Sequence, residues 1–192
     1  MSYLLFKFRL YDLTARICRE VFTASEPRHS AIQELDHQIC LEQETWNKRY
    51  LVDSTFDALP VHHAVHLQIL HGYSHQLFLL LHRPFSAQPI IGLEVSNESQ
   101  IRCKASAEAL LDIHRILSET RTFRPYMWYT NGLGSFHAFH ASAVLAVALL
   151  MPIYKPQHQN FKRILEETLS RFESAAGRST ICEKSAKILR FL

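Results

Sequence analysis

The segment HGYSHQLFLLLHRPF, residues 71–85, decides how the chain is read. Three imidazoles, His71, His75 and His82, share it with a run of leucines and phenylalanines. On a helix turning about 100° per residue, the three fall on one narrow face beside Gln68. Leu70, Tyr73, Leu77, Leu80 and Leu81 take the other side. The spacing predicts an amphipathic helix with its histidines on the polar flank and Leu80 buried. It is expected to run from about residue 61 to His82 and to stop at Pro84. A residue before proline is pushed out of helical geometry. Arg83 is placed to bond the last helical carbonyls.

Working outward, the same period predicts helices over 3–24 and 30–50. In the first, Leu4, Phe8, Tyr11 and Ala15 recur at three- or four-residue spacing, with Leu5, Leu13 and Ile17 widening the stripe. That helix is apolar nearly all round. It is expected to pack inside its own domain or to pair with a second copy about a two-fold axis. In the second, Ser30 is the expected cap, Gln33 its capping-box partner, and Ile32, Leu35, Ile39 and Trp46 the buried face. ASEPRHS (24–30) and VDSTFDALP (52–60) read as breaks. SAQPIIGLEVSN (86–97) reads as a loop, with Ser96 or Asn97 capping a helix to Thr120. RPYMWYTNGLG (124–134) reads as an aromatic loop. A very apolar helix is predicted over 135–151, ended by Pro152, with Leu149 buried and Ala138, Ala141, Ala143, Ala146 and Ala148 allowing close approach. Helices over 157–175 and 178–191 follow, parted near Gly177.

No segment alternates apolar and polar residues as a strand would. Five glycines and seven prolines leave room for long helices. The expected fold is therefore all-α: an irregular array of about six to seven helices, without a sheet, in one domain over 1–192.

Composition narrows the function. The net charge is +3 with no concentrated basic run, which argues against nucleic-acid binding by this chain. Cys18, Cys40, Cys103 and Cys182 are too far apart for a zinc knuckle and read as reduced thiols packed among apolar groups. His62 and His66 stand at i, i+4, and His137 and His140 at i, i+3, but neither pair holds the glutamate of a zinc-protease helix. No metal site and no cofactor are expected. The 135–151 helix is shorter than the ~20 residues a bilayer needs, and no membrane association is expected. The apolar start is broken by Lys7, Arg9 and Asp12 and does not read as a secretory signal. The histidines read first as structural, hydrogen-bonded or solvated groups. In a pocket, His71, His75, His137 and His140 are the candidates for acid–base work. Tyr73, Tyr126, Trp128 and Tyr129 are the candidates for lining a ligand pocket.

YSHQLFLLLHRPF, residues 73–85, resembles the signature of the fungal-specific transcription factor domain, the middle homology region of fungal regulators that carry a binuclear zinc cluster. Tyr73, Leu79, Leu80, Leu81, His82, Arg83, Pro84 and Phe85 carry the likeness. Trp46 and Leu59-Pro60 precede it in the family's order. Ser99, Cys103, Ala105 and Ala107 follow, heading a helix with Ile113 and Leu117. HASAVLAVALL (140–150) resembles the family's small-residue helix, and ICEKSAKILRFL (181–192) its closing segment.

The resemblance implies an all-helical regulatory module in which His82-Arg83-Pro84-Phe85 closes a buried helix and does no catalysis. It implies a nuclear location, with a protein partner, a homodimer or a small-molecule effector. The family's CxxCxxxxxxC zinc cluster is missing, so no DNA contact is expected from this chain. The likeness covers the C-terminal part of the family domain. The chain is then either a piece of a larger regulator or a short protein that keeps the helical cage. Two other functions remain open. One is a small cofactor-free enzyme of fungal secondary metabolism, a cyclase or isomerase with a histidine acid–base, located in the cytoplasm. The other is a truncated modulator that dimerises with a full-length regulator.

Overall fold

Helical periodicity becomes helix wherever the sequence lacks breakers. The computed structural model describes residues 2–23, 28–51, 55–86 and 93–191. Among them it is all-α, with seven helices and no strand. These are α1 (Ser2–Ile17), α2 (His29–Tyr50), α3 (Val61–Ser86), α4 (Leu93–Glu119), α5 (Ser135–Ala148), α6 (His158–Ala175) and α7 (Thr180–Leu189). A wider π-type turn, Cys18–Thr23, extends α1. The chain divides into two compact units, Met1–Cys103 and Lys104–Leu192, with α4 continuous through the boundary. Among the described residues no single helix is long and apolar enough to cross a membrane.

In the first unit α1, α2 and α3 pack on one another. Ile32, Leu35, Ile39 and Trp46 form the buried face of α2, as their spacing predicts. The face of α1 is different from the expected one. Phe6, Leu10, Leu13 and Ile17 turn inward, while Leu4, Phe8, Tyr11 and Ala15 are exposed. The sequence offers two apolar stripes on this helix, and only the packing against α2 and α3 chooses between them.

The central helix α3 also departs from its expected pattern. Its buried residues surround the axis, from Val65 and Leu70 to Phe78, Leu81 and His82. Leu80 is only half-buried at the edge of this core. Helix α3 is enclosed on nearly every side, and His82 falls on a covered part of it, buried rather than on a polar flank. The helix also runs on through Pro84 to Ser86. In the last turn a proline removes one ladder bond, the one its N–H would give to Leu80, and the helix ends anyway two residues later. Ser86 Oγ donates to the Arg83 carbonyl at 2.9 Å.

The expected caps shift likewise. The residue before α2 is Arg28, in extended geometry and without a side-chain cap bond, so Ser30 and Gln33 lie inside the first turns. Helix α4 begins at Leu93, which places Ser96 and Asn97 within it. Residues 24–27, 52–54 and 87–92, within the predicted breaks and loop, lie outside the described residues.

In the second unit α5, α6 and α7 pack together. Ala138, Ala141 and Ala148 are buried on α5, as are Phe161 and Phe172 on α6. Leu149 sits just past the end of α5 and is half-buried, not buried as predicted. The aromatic stretch is not a loop. Arg121–Tyr126 is 3-10, Met127–Tyr129 a single α turn, and Thr130–Gly134 a π-type turn leading into α5. Gly132 breaks the winding, with φ −107° and ψ −109°. At Gly134 a Cβ would lie 3.2 Å from the Tyr129 carbonyl oxygen, so glycine permits this close fold-back. Helix α7 carries a side-chain cap: the Cys182 N–H donates to Ser179 Oγ at 3.2 Å.

Candidate functional site

In the first unit, polar side chains of α3 and α4 meet Asp36 of α2. His82 Nε2 lies 2.8 Å from Asp36 Oδ1. Arg102 Nη2 lies 2.5 Å from Asp36 Oδ2. An ionised carboxylate only accepts hydrogen bonds, so His82 presents Nε2–H to it. The other ring nitrogen, Nδ1, lies 3.1 Å from the Ser99 hydroxyl. Three helices are tied at one point: α2 by Asp36, α3 by His82, and α4 by Ser99 and Arg102. The Cys40 thiol approaches the same carboxylate at 3.8 Å, and the Arg102 guanidinium lies 4.5 Å from the Phe78 ring centre. Burial alone would push the Asp36 carboxyl up. The hydrogen bonds from His82 and Arg102, and the charge of Arg102, outweigh it and hold the carboxyl below its ordinary value.

The order Ser99–His82–Asp36 matches that of a hydrolase relay. Its surroundings do not suit that chemistry, because Ser99 is 1% exposed and its hydroxyl is out of a substrate's reach. The arrangement acts as a structural latch. Charge-assisted hydrogen bonds of this kind contribute about 1.5–3 kcal/mol each. Asp36→Ala is expected to cost about 1–3 kcal/mol, because it leaves buried His82 without its partner, while Arg102, 38% exposed, can turn to water. With the folded-state value depressed, the stabilising effect of Asp36 is full above the unfolded carboxyl pKa of ~3.9 and fades as pH falls below it. Thermal melts of Asp36→Ala and Asp36→Asn check this. A loss under ~0.5 kcal/mol in both would show that the latch carries no load.

Of the expected acid–base candidates, His71 and His75 lie in the first unit. Their rings stack with centres 6.4 Å apart. His71 Nε2 donates to Asn47 Oδ1 at 3.1 Å, and its ring stands edge-on to buried Trp46. Burial lowers the pKa of His71 to about 4. Burial, with the charges of His71 and Arg102 behind it, lowers that of His75 to about 4. His137 and His140 lie on α5 of the second unit, where burial, then the charge of His140, lowers His137 to about 4.

The expected pocket residues likewise belong to different units. Tyr73, in the first unit, sits edge-on to Tyr11 with Lys7 Nζ 5.3 Å from its ring centre. In the second unit Tyr126 is half-buried, Tyr129 buried, and Trp128 70% exposed. Pro84 and Phe85 serve the end of α3, where Phe85 is buried and Arg83 exposed.

A second polar cluster joins α4, α5 and α7 within the second unit. Ser135 Oγ donates to the Thr130 carbonyl at 2.6 Å. Its oxygen is then left to accept from the Cys182 thiol at 3.1 Å and from His114 Nε2 at 3.3 Å. The Nδ1 of His114 is buried with no partner. Burial, then the charge of Arg171, lowers His114 to about 3. A cleft of about 640 Å³ lies between α4 and α6 of this unit. Its arginines are paired: Arg115 with Asp112 at 2.6 Å, Arg163 with Glu167 at 2.7 Å, Arg171 with Glu119 at 2.9 Å. That balance leaves little net charge for a ligand. Among the described residues no group of three or more histidine, cysteine, aspartate or glutamate side chains is placed to hold a metal.

The sequence assigns no site role to Asp36, Arg102, His114 and Ser135, and it offers Ser99 only as part of the family likeness. A signal existed for Asp36: it stands four residues after Ile32 and three before Ile39, within a buried stripe. A charge in that position calls for a partner. No family model, curated protein or solved structure matches the chain.

Proposed function

We propose that the chain is a regulatory helical domain of the kind its 73–85 segment resembles. In this reading it is a nuclear, non-enzymatic part of a fungal transcription regulator. It takes a protein partner or a small-molecule effector and does not itself read DNA. The observation that supports this is the state of His82. Both its ring nitrogens are engaged, with Asp36 and Ser99, inside packed helices. Ser99 is 1% exposed and His82 6%, so this imidazole has no opening to a substrate and serves architecture.

The enzyme reading has one observation in its favour. His71 and His75 are half-buried and hold pKa values of about 4, so both are neutral near pH 7. That is the form a general base needs. It is weaker support, because His71 is engaged with Asn47 and Trp46.

The test has two arms. The full chain, fused to an unrelated DNA-binding module, is expected to change the output of a reporter driven by that module's site. The purified chain is expected to give no sequence-selective gel shift on duplex DNA at physiological salt, given a net charge of only +3 and no concentrated basic run. A fusion that leaves the reporter unchanged, or a selective shift by the chain alone, would overturn this reading.

A further inference from the structure

Helix α1 has a second apolar stripe that the first unit does not use. Leu4, Phe8, Tyr11 and Ala15 lie along it, and Cys18 and Phe22 continue it into the π-type turn. All six are exposed, Leu4 at 56%, Phe8 at 63% and Tyr11 at 46%. The steps alternate between four and three residues. That is the seam of a two-stranded coiled coil, with Phe8 and Ala15 at a and Leu4, Tyr11 and Cys18 at d. Single exposed apolar residues are ordinary on a protein surface. A continuous stripe at this spacing is not.

We propose that the outer stripe of α1 pairs in parallel, in register, with the same stripe of a second copy. The flanking charges choose the occupant and the direction. Lys7 falls at g and exposed Asp12 at e, one on each side of the seam. In a parallel pair, Lys7 of each copy faces Asp12 of the other, five residues along, so the contact forms twice. In an antiparallel pair each flank meets its own kind, and Lys7 no longer meets Asp12. The rings of Tyr3, Tyr11 and Tyr73 surround Lys7 Nζ at 5.9, 5.7 and 5.3 Å and hold it beside the seam. The proposal rests on α1 alone. It stands whether or not the regulatory reading does.

The structure supplies its own cross-linker. Cys18 is exposed and free, at a d position where two parallel copies bring their thiols together. Treating the full chain with diamide, which takes up two electrons and two protons per disulfide formed, is expected to give a Cys18–Cys18 dimer on a non-reducing gel. Light scattering at micromolar concentration is expected to give twice 22.3 kDa. Phe8→Glu alters an exposed side chain, so its circular dichroism should be unchanged while dissociation rises about a hundredfold or more. Asp12→Lys should also weaken the pair, and the swap Lys7→Asp with Asp12→Lys should restore it. A monomer across the concentration range overturns the proposal. So does a dimer that survives Phe8→Glu, or one whose cross-link persists in Cys18→Ser.

Discussion

Lowering the pH from about 7 to 4 is expected to unfold the chain. His71, His75 and His137 hold folded-state pKa values of about 4, and His114 about 3, against an ordinary 6.5. The shared first cause is burial, which disfavours the imidazolium. Unfolding frees each ring to take a proton at its ordinary pKa. Between the two values the unfolded state binds more protons, so stability falls as pH falls. Above about 7 the contribution is complete. Below it, each buried ring costs up to about 1.4 kcal/mol per pH unit, or roughly 3 kcal/mol in all by pH 4. Half-buried His71 and His75 contribute less than that, and His114 and His137 the most. Several such terms rival the 5–15 kcal/mol that holds an ordinary domain together. Thermal melts from pH 7.5 to 4 should show a steep loss below about 6.5, shallower in His114→Gln. A melting temperature flat between pH 7 and 5 would sink the argument.

Leu81→Asp is expected to abolish the cooperative melt of the first unit, and Leu145→Asp that of the second. Both leucines are 0% exposed. The substitution forfeits about 2 kcal/mol of apolar burial. It also buries a carboxyl with no partner, at several kcal/mol more even if the group protonates. A total near 5 kcal/mol approaches the whole stability of a domain. The neighbouring Leu80→Asp is the control. Leu80 is half-buried, so its aspartate reaches water, and that variant should stay folded with a lower melting temperature. If Leu80→Asp is as damaging as Leu81→Asp, α3 is rotated from the orientation described.

These two leucines show where reading the sequence stops. Their neighbours on α3 announce a helix, because apolar residues recur at the helical period whichever side faces inward. The period does not say how much of the circumference is covered. Leu80 and Leu81 look alike in the sequence, and so do His75 and His82. The difference is that α3 is enclosed on nearly every side, which is a property of its neighbours.

By itself the sequence determined the helices, because helical bonds link residues four apart and their signals are local. It placed α2, α3, α6 and α7 to within a few residues, and the inner face of α2 from Ile32 to Trp46. The local rules failed at the ends. Ser30, Ser96 and Asn97 suit a cap, but α2 and α4 begin upstream of them, and α3 runs through Pro84 because a proline costs little in a last turn. The tertiary structure alone decided which stripe of α1 turns inward, since both satisfy the same period. It also decided what the HRPF histidine does. Asp36 meets His82 across 46 residues and Arg102 across 66. Pairings that distant are fixed only when packed helices bring polar groups together in a space that excludes water, where an unpartnered charge is too costly to leave.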